Sequence, residues 1–76
     1  MKNLGGIKMK KVLAKPNNLQ VIRIKKGFTY RALGKKAGIS YLSIIRAEEG
    51  KNIFPKTAKA IAEALEVDFD EIFKIV

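Results

Sequence analysis

Hydroxyl and cationic side chains are the groups with which this 76-residue chain could do chemistry, and several of them lie within residues 40–46. Ser40 and Ser43 are the candidate nucleophiles in that stretch. A serine nucleophile needs a neighbouring base, but the chain has no histidine, and the nearest carboxylates lie at the far end of the same predicted helix. Arg46 carries a planar guanidinium that can donate two parallel hydrogen bonds to one partner. We therefore predict a binding protein and not an enzyme.

Metal and cofactor chemistry is also poorly supported by the residue types. The chain has no cysteine and no histidine, so it offers no disulfide framework, no thiolate metal site and no imidazole ligand. The pair Gly5 and Gly6 lacks the spacing of a phosphate-binding loop. We expect neither a metal nor a cofactor.

Residues 29–50 must position these side chains, and they are predicted to form two short helices joined by a tight turn. Thr29 and Ser40 lie eleven residues apart, and both are of a type that caps helix N-termini. Gly38 stands at the turn, where glycine adopts the left-handed conformation without a Cβ clash. Apolar residues are spaced to face a shared interior, and these are Leu33, Ala37, Ile39, Ile44 and Ala47. The spacing is that of a helix-turn-helix.

The distribution of charge is an independent indication of the partner. The formal net charge is +9. Residues 1–47 hold twelve Lys or Arg and no acid, whereas residues 48–76 hold four basic and seven acidic residues. Lys and Arg that contact phosphates release condensed counterions, so a positive surface favours a polyanionic partner. Because the predicted helix pair lies in the positive part, we predict nucleic-acid binding.

No segment of the sequence suggests a membrane. The longest apolar runs fall well short of the roughly 18 residues that a spanning helix needs. The lysine-rich start is not followed by the hydrophobic stretch of a signal peptide. We expect a cytoplasmic protein without membrane contact.

Two regions are predicted along the chain, a basic N-terminal arm over residues 1–16 and a folded domain over residues 17–76. Pro16 ends whatever structure precedes it. The arm is either a flexible terminus or a short edge strand over residues 7–13, where Ile7 and Met9 alternate with lysines.

Residues 18–73 resemble the helix-turn-helix DNA-binding domains of the phage Cro and lambda-repressor type, the XRE family. With Tyr30 as the first residue of the twenty-residue unit, six positions match the family's apolar, small and turn residues. They are Leu33, Gly34, Gly38, Ile39, Ile44 and Ala47. Residues 48–51, followed by Pro55, are similar to the family's Glu-Asn-Gly-Lys and proline, with Glu49 in place of the asparagine.

This resemblance implies that the third helix, over about residues 41–49, enters the major groove of double-stranded DNA. The implied base-reading residues are Tyr41, Leu42, Ser43, Ile45 and Arg46. Arg46 is expected to donate two hydrogen bonds to one guanine, which discriminates against other bases by about 1 to 3 kcal/mol. Leu42 and Ile45 are expected to contact thymine methyl groups or, as an alternative, to form a protein-binding patch.

Phosphate contacts are expected from the residues that flank this helix, because such contacts position a protein without specifying sequence. The first turn of the second helix has free N–H groups and the positive end of the helix dipole. The expected phosphate contacts are Thr29, Tyr30, Arg31, Lys51, Asn52 and Lys56. The carboxylate of Glu49 is repelled by phosphate unless it accepts from cytosine N4 or from a nearby lysine.

A structural ion pair is predicted between Arg23 and Glu48. Arg23 lies on a first helix predicted over about residues 19–26 and capped by Asn17 or Asn18. The resemblance pairs the residue at its position with the glutamate that Glu48 occupies here. Glu48 also needs a cation on physical grounds, because it lies near the buried side at a helix C-terminus, where the dipole disfavours an acid.

The last two helices are predicted over about residues 55–66 and from Asp68 to the chain end. In the final helix, an apolar stripe follows the i, i+3, i+4, i+7 rule and indicates core packing. Ile75 and Val76 have little chain left to cover them, so part of the segment is expected to form a two-fold dimer contact. The predicted contact residues are Phe69, Ile72, Phe73, Ile75 and Val76.

These features together predict an all-α, five-helix, lambda-repressor-like bundle. Its expected function is sequence-specific binding of double-stranded DNA as a homodimeric transcriptional regulator, and the resemblance implies a repressor. The alternative is an antitoxin or phage-type regulator that also binds a protein partner, through Leu42, Ile45 and the C-terminal stripe.

Overall fold

The computed structural model describes residues 10–76, which form five helices and a small two-stranded sheet. The helices are α1 (Asn18–Lys25), α2 (Tyr30–Ala37), α3 (Tyr41–Glu48), α4 (Pro55–Leu65) and α5 (Phe69–Ile72). The strands are β1 (Val12–Ala14) and β2 (Phe73–Ile75), which pair antiparallel. The predicted helical bundle with a helix-turn-helix is confirmed. Within the described residues, no helix has the length and apolar character needed to cross a membrane.

Both helices of the helix-turn-helix begin where the capping residues predicted them. The Thr29 hydroxyl accepts a hydrogen bond from the backbone N–H of Ala32 at 3.0 Å, and the Ser40 hydroxyl accepts one from Leu42 at 3.2 Å. Gly38 ends α2 with a φ of +74°, a left-handed conformation that favours glycine. Local signals therefore explain the start of each helix and the turn between them.

Gly34 sets how closely α2 approaches the start of α3. A Cβ at this position would lie 3.0 Å from the backbone oxygen of Ile39 and 3.0 Å from the Cα and N atoms of Tyr41. Nine in ten real Cβ contacts are longer, so an alanine here would require the backbone at the start of α3 to shift by a few tenths of an ångström. Glycine costs helix propensity, about 1 kcal/mol relative to alanine, but it permits this close approach.

A single apolar core joins all five helices to the sheet. Its largest fully buried side chains are Leu19, Leu33, Ile44, Ile61, Leu65, Ile72 and Phe73. These residues come from α1 to α5 and from β2, so the angle of α3 depends on the whole domain.

The sequence prediction was wrong about the C-terminus and about the cap of α1. The last helix ends at Ile72, and Phe73 enters β2 because aromatic and β-branched residues suit a strand and β1 supplies a partner. Two 2.8 Å hydrogen bonds between Lys11 and Val76 extend the pairing. Asn17 precedes α1 in a left-handed conformation without a side-chain capping bond, and the amide of Asn18 instead donates to the Glu71 carbonyl at 2.9 Å.

Part of the predicted arm belongs to the folded domain. Val12 and Ala14 are buried, and β1 also contacts the loop that follows α3. The Ile53 N–H donates to the Val12 carbonyl at 3.2 Å, and the Val12 N–H donates to the Asn52 side-chain oxygen at 3.1 Å. Strand β1 therefore ties this loop to the C-terminus. The predicted edge strand began at Ile7, which lies outside the described residues.

Candidate nucleic-acid interface

The outward face of α3 carries the predicted base-reading residues. Ile44 and Ala47 are fully buried on its inner face. Leu42 is 55% exposed and Arg46 is exposed, whereas three other members of the predicted set are half-buried. These three are Tyr41, Ser43 and Ile45. The outward face of α3 is thus available to a partner, and its inner face is packed in the core.

Arg46 is the cation on α3 that stays free for a partner. Among residues 10–76 it forms no ion pair and no side-chain hydrogen bond within the molecule. A guanidinium binds bidentately through two parallel N–H groups on one edge, so the exposed Arg46 side chain suits recognition of a planar acceptor pair.

Tyr41 is held in place by Arg31, a contact that the sequence did not predict. The Arg31 Cζ atom lies 4.2 Å from the centroid of the Tyr41 ring, and its Nη2 atom lies 3.4 Å from the Tyr41 hydroxyl. A guanidinium over an aromatic face is attracted by the ring quadrupole. The stack joins the start of α2 to the start of α3, so an expected phosphate contact and an expected base contact form one unit.

Glu49 turns toward a lysine, one of the two arrangements expected for a carboxylate at this position. Its Oε1 atom lies 3.5 Å from the Nζ atom of Lys51, and both side chains are about half exposed. Exposed pairs of this kind contribute about 0.2 to 1 kcal/mol and are easily broken. The pair therefore screens the charge of the Glu49 carboxylate, and Lys51 remains able to leave it for another anion.

A buried ionic cluster lies behind α3 at its C-terminal end. The Arg23 Nε atom lies 2.5 Å from Glu48 Oε2, and the two side chains are only 9% and 8% exposed. Arg23 also donates to the Phe28 carbonyl at 2.8 Å, and its guanidinium stacks on the Tyr30 ring at 4.2 Å. The Tyr30 hydroxyl donates to Glu48 Oε1 at 3.2 Å. Residues from α1, α2 and α3 therefore meet at one carboxylate.

Tyr30 is consequently placed differently from its expected role as a phosphate contact. Its ring is half-buried under Arg23, and its hydroxyl proton is used by Glu48. The other expected phosphate contacts, Thr29, Arg31, Lys51, Asn52 and Lys56, are exposed. Asn52 has a second role, because its side-chain oxygen accepts from Val12 and leaves only the NH₂ group to donate outward.

The predicted dimer residues are divided by the fold. Ile72 and Phe73 are fully buried, and Phe69 is half-buried with its ring centroid 5.3 Å from that of Phe73. The contact predicted for Ile72 and Phe73 was therefore wrong, because both side chains fill the core. Ile75 and Val76 are 59% and 53% exposed and remain available.

Phe54 adjoins the interface and was missed by the sequence reasoning. It is 78% exposed, directly before Pro55 at the first position of α4. The neighbouring Ile53 is buried and takes the place in the core. The sequence held one signal for this exposure. Ile53 and Phe54 are adjacent apolar residues directly before the predicted start of α4, and adjacent residues in an extended segment point to opposite sides.

The sequence matches a known protein family, and the fold matches solved structures. The family model described as Helix-turn-helix matches residues 19–72. The chain belongs to the helix-turn-helix family. The resemblance to XRE-type domains is thereby confirmed, and family membership supports DNA binding in transcription regulation. No curated protein matches the sequence.

Two solved structures share the fold of this helix-turn-helix protein. The restriction-modification controller protein C.AhdI from Aeromonas hydrophila aligns with a TM-score of 0.68 at 23% identity, covering 72% of this chain and 85% of that one. The transcriptional regulator VanUg aligns with a TM-score of 0.66 at 21% identity, covering 92% and 91%. At these identities the likeness is one of fold.

Proposed function

We propose that this helix-turn-helix protein binds double-stranded DNA sequence-specifically as a homodimer in the cytoplasm and represses transcription by occluding polymerase. The observation that carries the proposal is the outward face of α3, which presents the exposed Arg46, unpaired among residues 10–76, from a helix whose inner residues Ile44 and Ala47 are fully buried. A helix held in this way can enter a major groove without losing core contacts.

The residues divide into two kinds of contact. Arg46, Leu42 and the Tyr41 edge lie on α3 and meet base edges, where each base pair shows a distinct pattern of donors and acceptors. Exposed groups on both flanks of α3 meet phosphates and set its register. These groups are Thr29, Arg31, Lys51, Asn52 and Lys56. The exposed pair with Lys51 partly screens the Glu49 carboxylate, and it breaks easily enough for Lys51 to turn to a phosphate.

Selection of bound duplexes from a random pool tests the proposal. We expect an enriched inverted repeat whose half-site centres lie about 10 base pairs apart or a multiple of that distance, since a two-fold dimer presents two copies of α3 to one face of the duplex. Failure to enrich any sequence over the starting pool at about 0.1 M salt would contradict sequence-specific binding.

Self-association is proposed to use the exposed end of β2. Ile75 and Val76 are apolar and more than half exposed, and β2 lies at the edge of the sheet within the described residues. Covering this end with a second copy removes apolar surface from water and follows the two-fold symmetry common to small oligomers.

The variant Ile75→Glu is expected to sediment as a monomer at concentrations where the native protein is a dimer, because a carboxylate in the contact would be desolvated. Ile24→Glu is the matched control, since Ile24 on α1 is also an isoleucine and is also 59% exposed. It should leave the dimer intact. A native protein that stays monomeric at tens of micromolar, with and without its selected DNA, contradicts the dimer.

A further inference from the structure

Tyr41, the first residue of α3, is contacted by two residues from one face of α2. Arg31 and Gly34 are three residues apart in α2, so they lie side by side on that face. Gly34 lets the Tyr41 backbone approach closely, since a Cβ at Gly34 would lie 3.0 Å from the Cα and N atoms of Tyr41. The Arg31 guanidinium covers the Tyr41 ring, with its Cζ atom 4.2 Å from the ring centroid. The orientation of Tyr41 is therefore set by α2 as well as by α3.

The same contact determines how the Tyr41 hydroxyl meets a partner. A guanidinium has only N–H donors, so at the 3.4 Å contact between Arg31 Nη2 and the Tyr41 hydroxyl the oxygen is the acceptor. The hydroxyl proton consequently points away from Arg31 and is left to donate. Accepting from a cation also polarises the O–H bond, which strengthens it as a donor. Tyr41 is thus prepared to donate a hydrogen bond.

We propose that Arg31 is a positioning residue that makes Tyr41 read a hydrogen-bond acceptor on one base of each half-site. In the major groove, guanine shows two acceptors and no donor, thymine shows one acceptor, and cytosine shows only its N4 amino donor. The positive charge of Arg31 beside the contact also disfavours the partial positive charge of an amino group. Guanine is therefore the expected base and cytosine the rejected one. The assignment rests on the proposed function and adds to it the base chemistry that Tyr41 selects.

A phosphate contact alone does not account for the position of Arg31. Its guanidinium is stacked on a ring of the base-reading helix, whereas a cation that served only a phosphate would need no such contact. Arginine can combine the two roles, because its planar group stacks through its face and donates through its edge. Lysine keeps the positive charge but has no planar fork. The exchange Arg31→Lys therefore separates the positioning of Tyr41 from attraction to a phosphate.

Duplex selection and binding isotherms with Tyr41→Phe and Arg31→Lys test the assignment. Tyr41→Phe keeps the ring and removes the donor, so the preference for guanine over cytosine at one base pair of each half-site should fall about three- to tenfold. Arg31→Lys should lower the preference at that same base pair by about two- to fivefold, because the stack and the directed donor are lost. Its salt dependence should match that of the native protein, since the charge is kept.

The double variant Arg31→Lys, Tyr41→Phe tests whether Arg31 acts through Tyr41. It should lose no more preference at that base pair than Tyr41→Phe alone, because no hydroxyl remains to be directed. Lys35→Ala is the control, since it removes an exposed cation later in α2 and should leave every base preference unchanged.

Three results would overturn the assignment: either single variant keeps every base preference, the losses of the two variants add in the double variant, or cytosine is selected at the base pair that depends on Tyr41. Each of them leaves the proposed function standing. A native protein that enriches no duplex overturns the proposed function and this assignment together.

Discussion

The substitution Arg23→Met is expected to lower the free energy of unfolding by about 3 to 5 kcal/mol, because it leaves the buried Glu48 carboxylate without its cation. Glu48 would keep only the Tyr30 hydroxyl as a side-chain donor within the described residues. The Glu48 side chain is 8% exposed, so water cannot readily replace the guanidinium. Domains of this size are stable by roughly 4 to 11 kcal/mol, so the loss is a large part of the total.

Denaturant unfolding followed by circular dichroism measures this effect. Lys25→Met is the matched control, because it removes the same charge from the same helix at an exposed position and should change stability by about 0.5 kcal/mol at most. The double variant Arg23→Met, Glu48→Leu should recover much of the loss, since replacing both ions of a buried pair by apolar residues is often neutral. An unchanged unfolding midpoint for Arg23→Met alone would show that the pair is incidental.

The variant Arg46→Ala is expected to lose sequence preference at one base pair in each half-site, with a fall in discrimination of about 5- to 150-fold at that position. The Arg46 guanidinium is exposed on α3 and has no side-chain partner among residues 10–76, and alanine cannot make the two hydrogen bonds that it offers to a base. Duplex selection with the variant, compared with the native protein, identifies the position. Preferences at the other base pairs should persist.

Lys51→Ala is the contrasting variant for this experiment. Lys51 lies in the loop after α3 and is expected to contact a phosphate, so its loss should weaken all sequences alike and lower the salt slope by about one. If Arg46→Ala instead weakened every sequence equally and retained each base preference, Arg46 would be a backbone contact and the reading assigned to α3 would fail.

These two predictions concern opposite faces of the same helix. Arg46 lies outward, whereas Glu48 lies two residues further on and points into the cluster with Arg23 and Tyr30. The cluster joins α1 and α2 to the end of α3, and Gly34 allows close packing at its start. Both ends of α3 are therefore fixed, and this sets the angle of α3 relative to the rest of the domain.

Short-range signals in the sequence were sufficient for the helix-turn-helix. Thr29 and Ser40 accept hydrogen bonds from N–H groups only three and two residues away, so each capping interaction is contained in a local segment. The burial of Ile44 and Ala47 followed from helical periodicity, and the overall charge followed from composition. Such features do not depend on how distant parts of the chain meet.

Contacts across the chain required the assembled core. Val12 lies opposite Ile75 in the sheet, and it donates to Asn52 across 40 residues of sequence. No local pattern distinguishes this pairing from a helix that continues through Phe73, since the same apolar spacing fits both. Burial of the Phe73 ring and the availability of β1 decide between them.

The exposure of Phe54 and the stacking of Arg31 on Tyr41 have the same origin. Whether Ile53 or Phe54 enters the core depends on where β1 holds the loop, and whether Arg31 reaches Tyr41 depends on the angle between α2 and α3. Local propensity acts over a few residues, whereas these placements depend on the positions of elements far apart in sequence. For this reason the type of protein could be read from its residues, whereas the placement of Phe54 and Arg31 beside α3 could not.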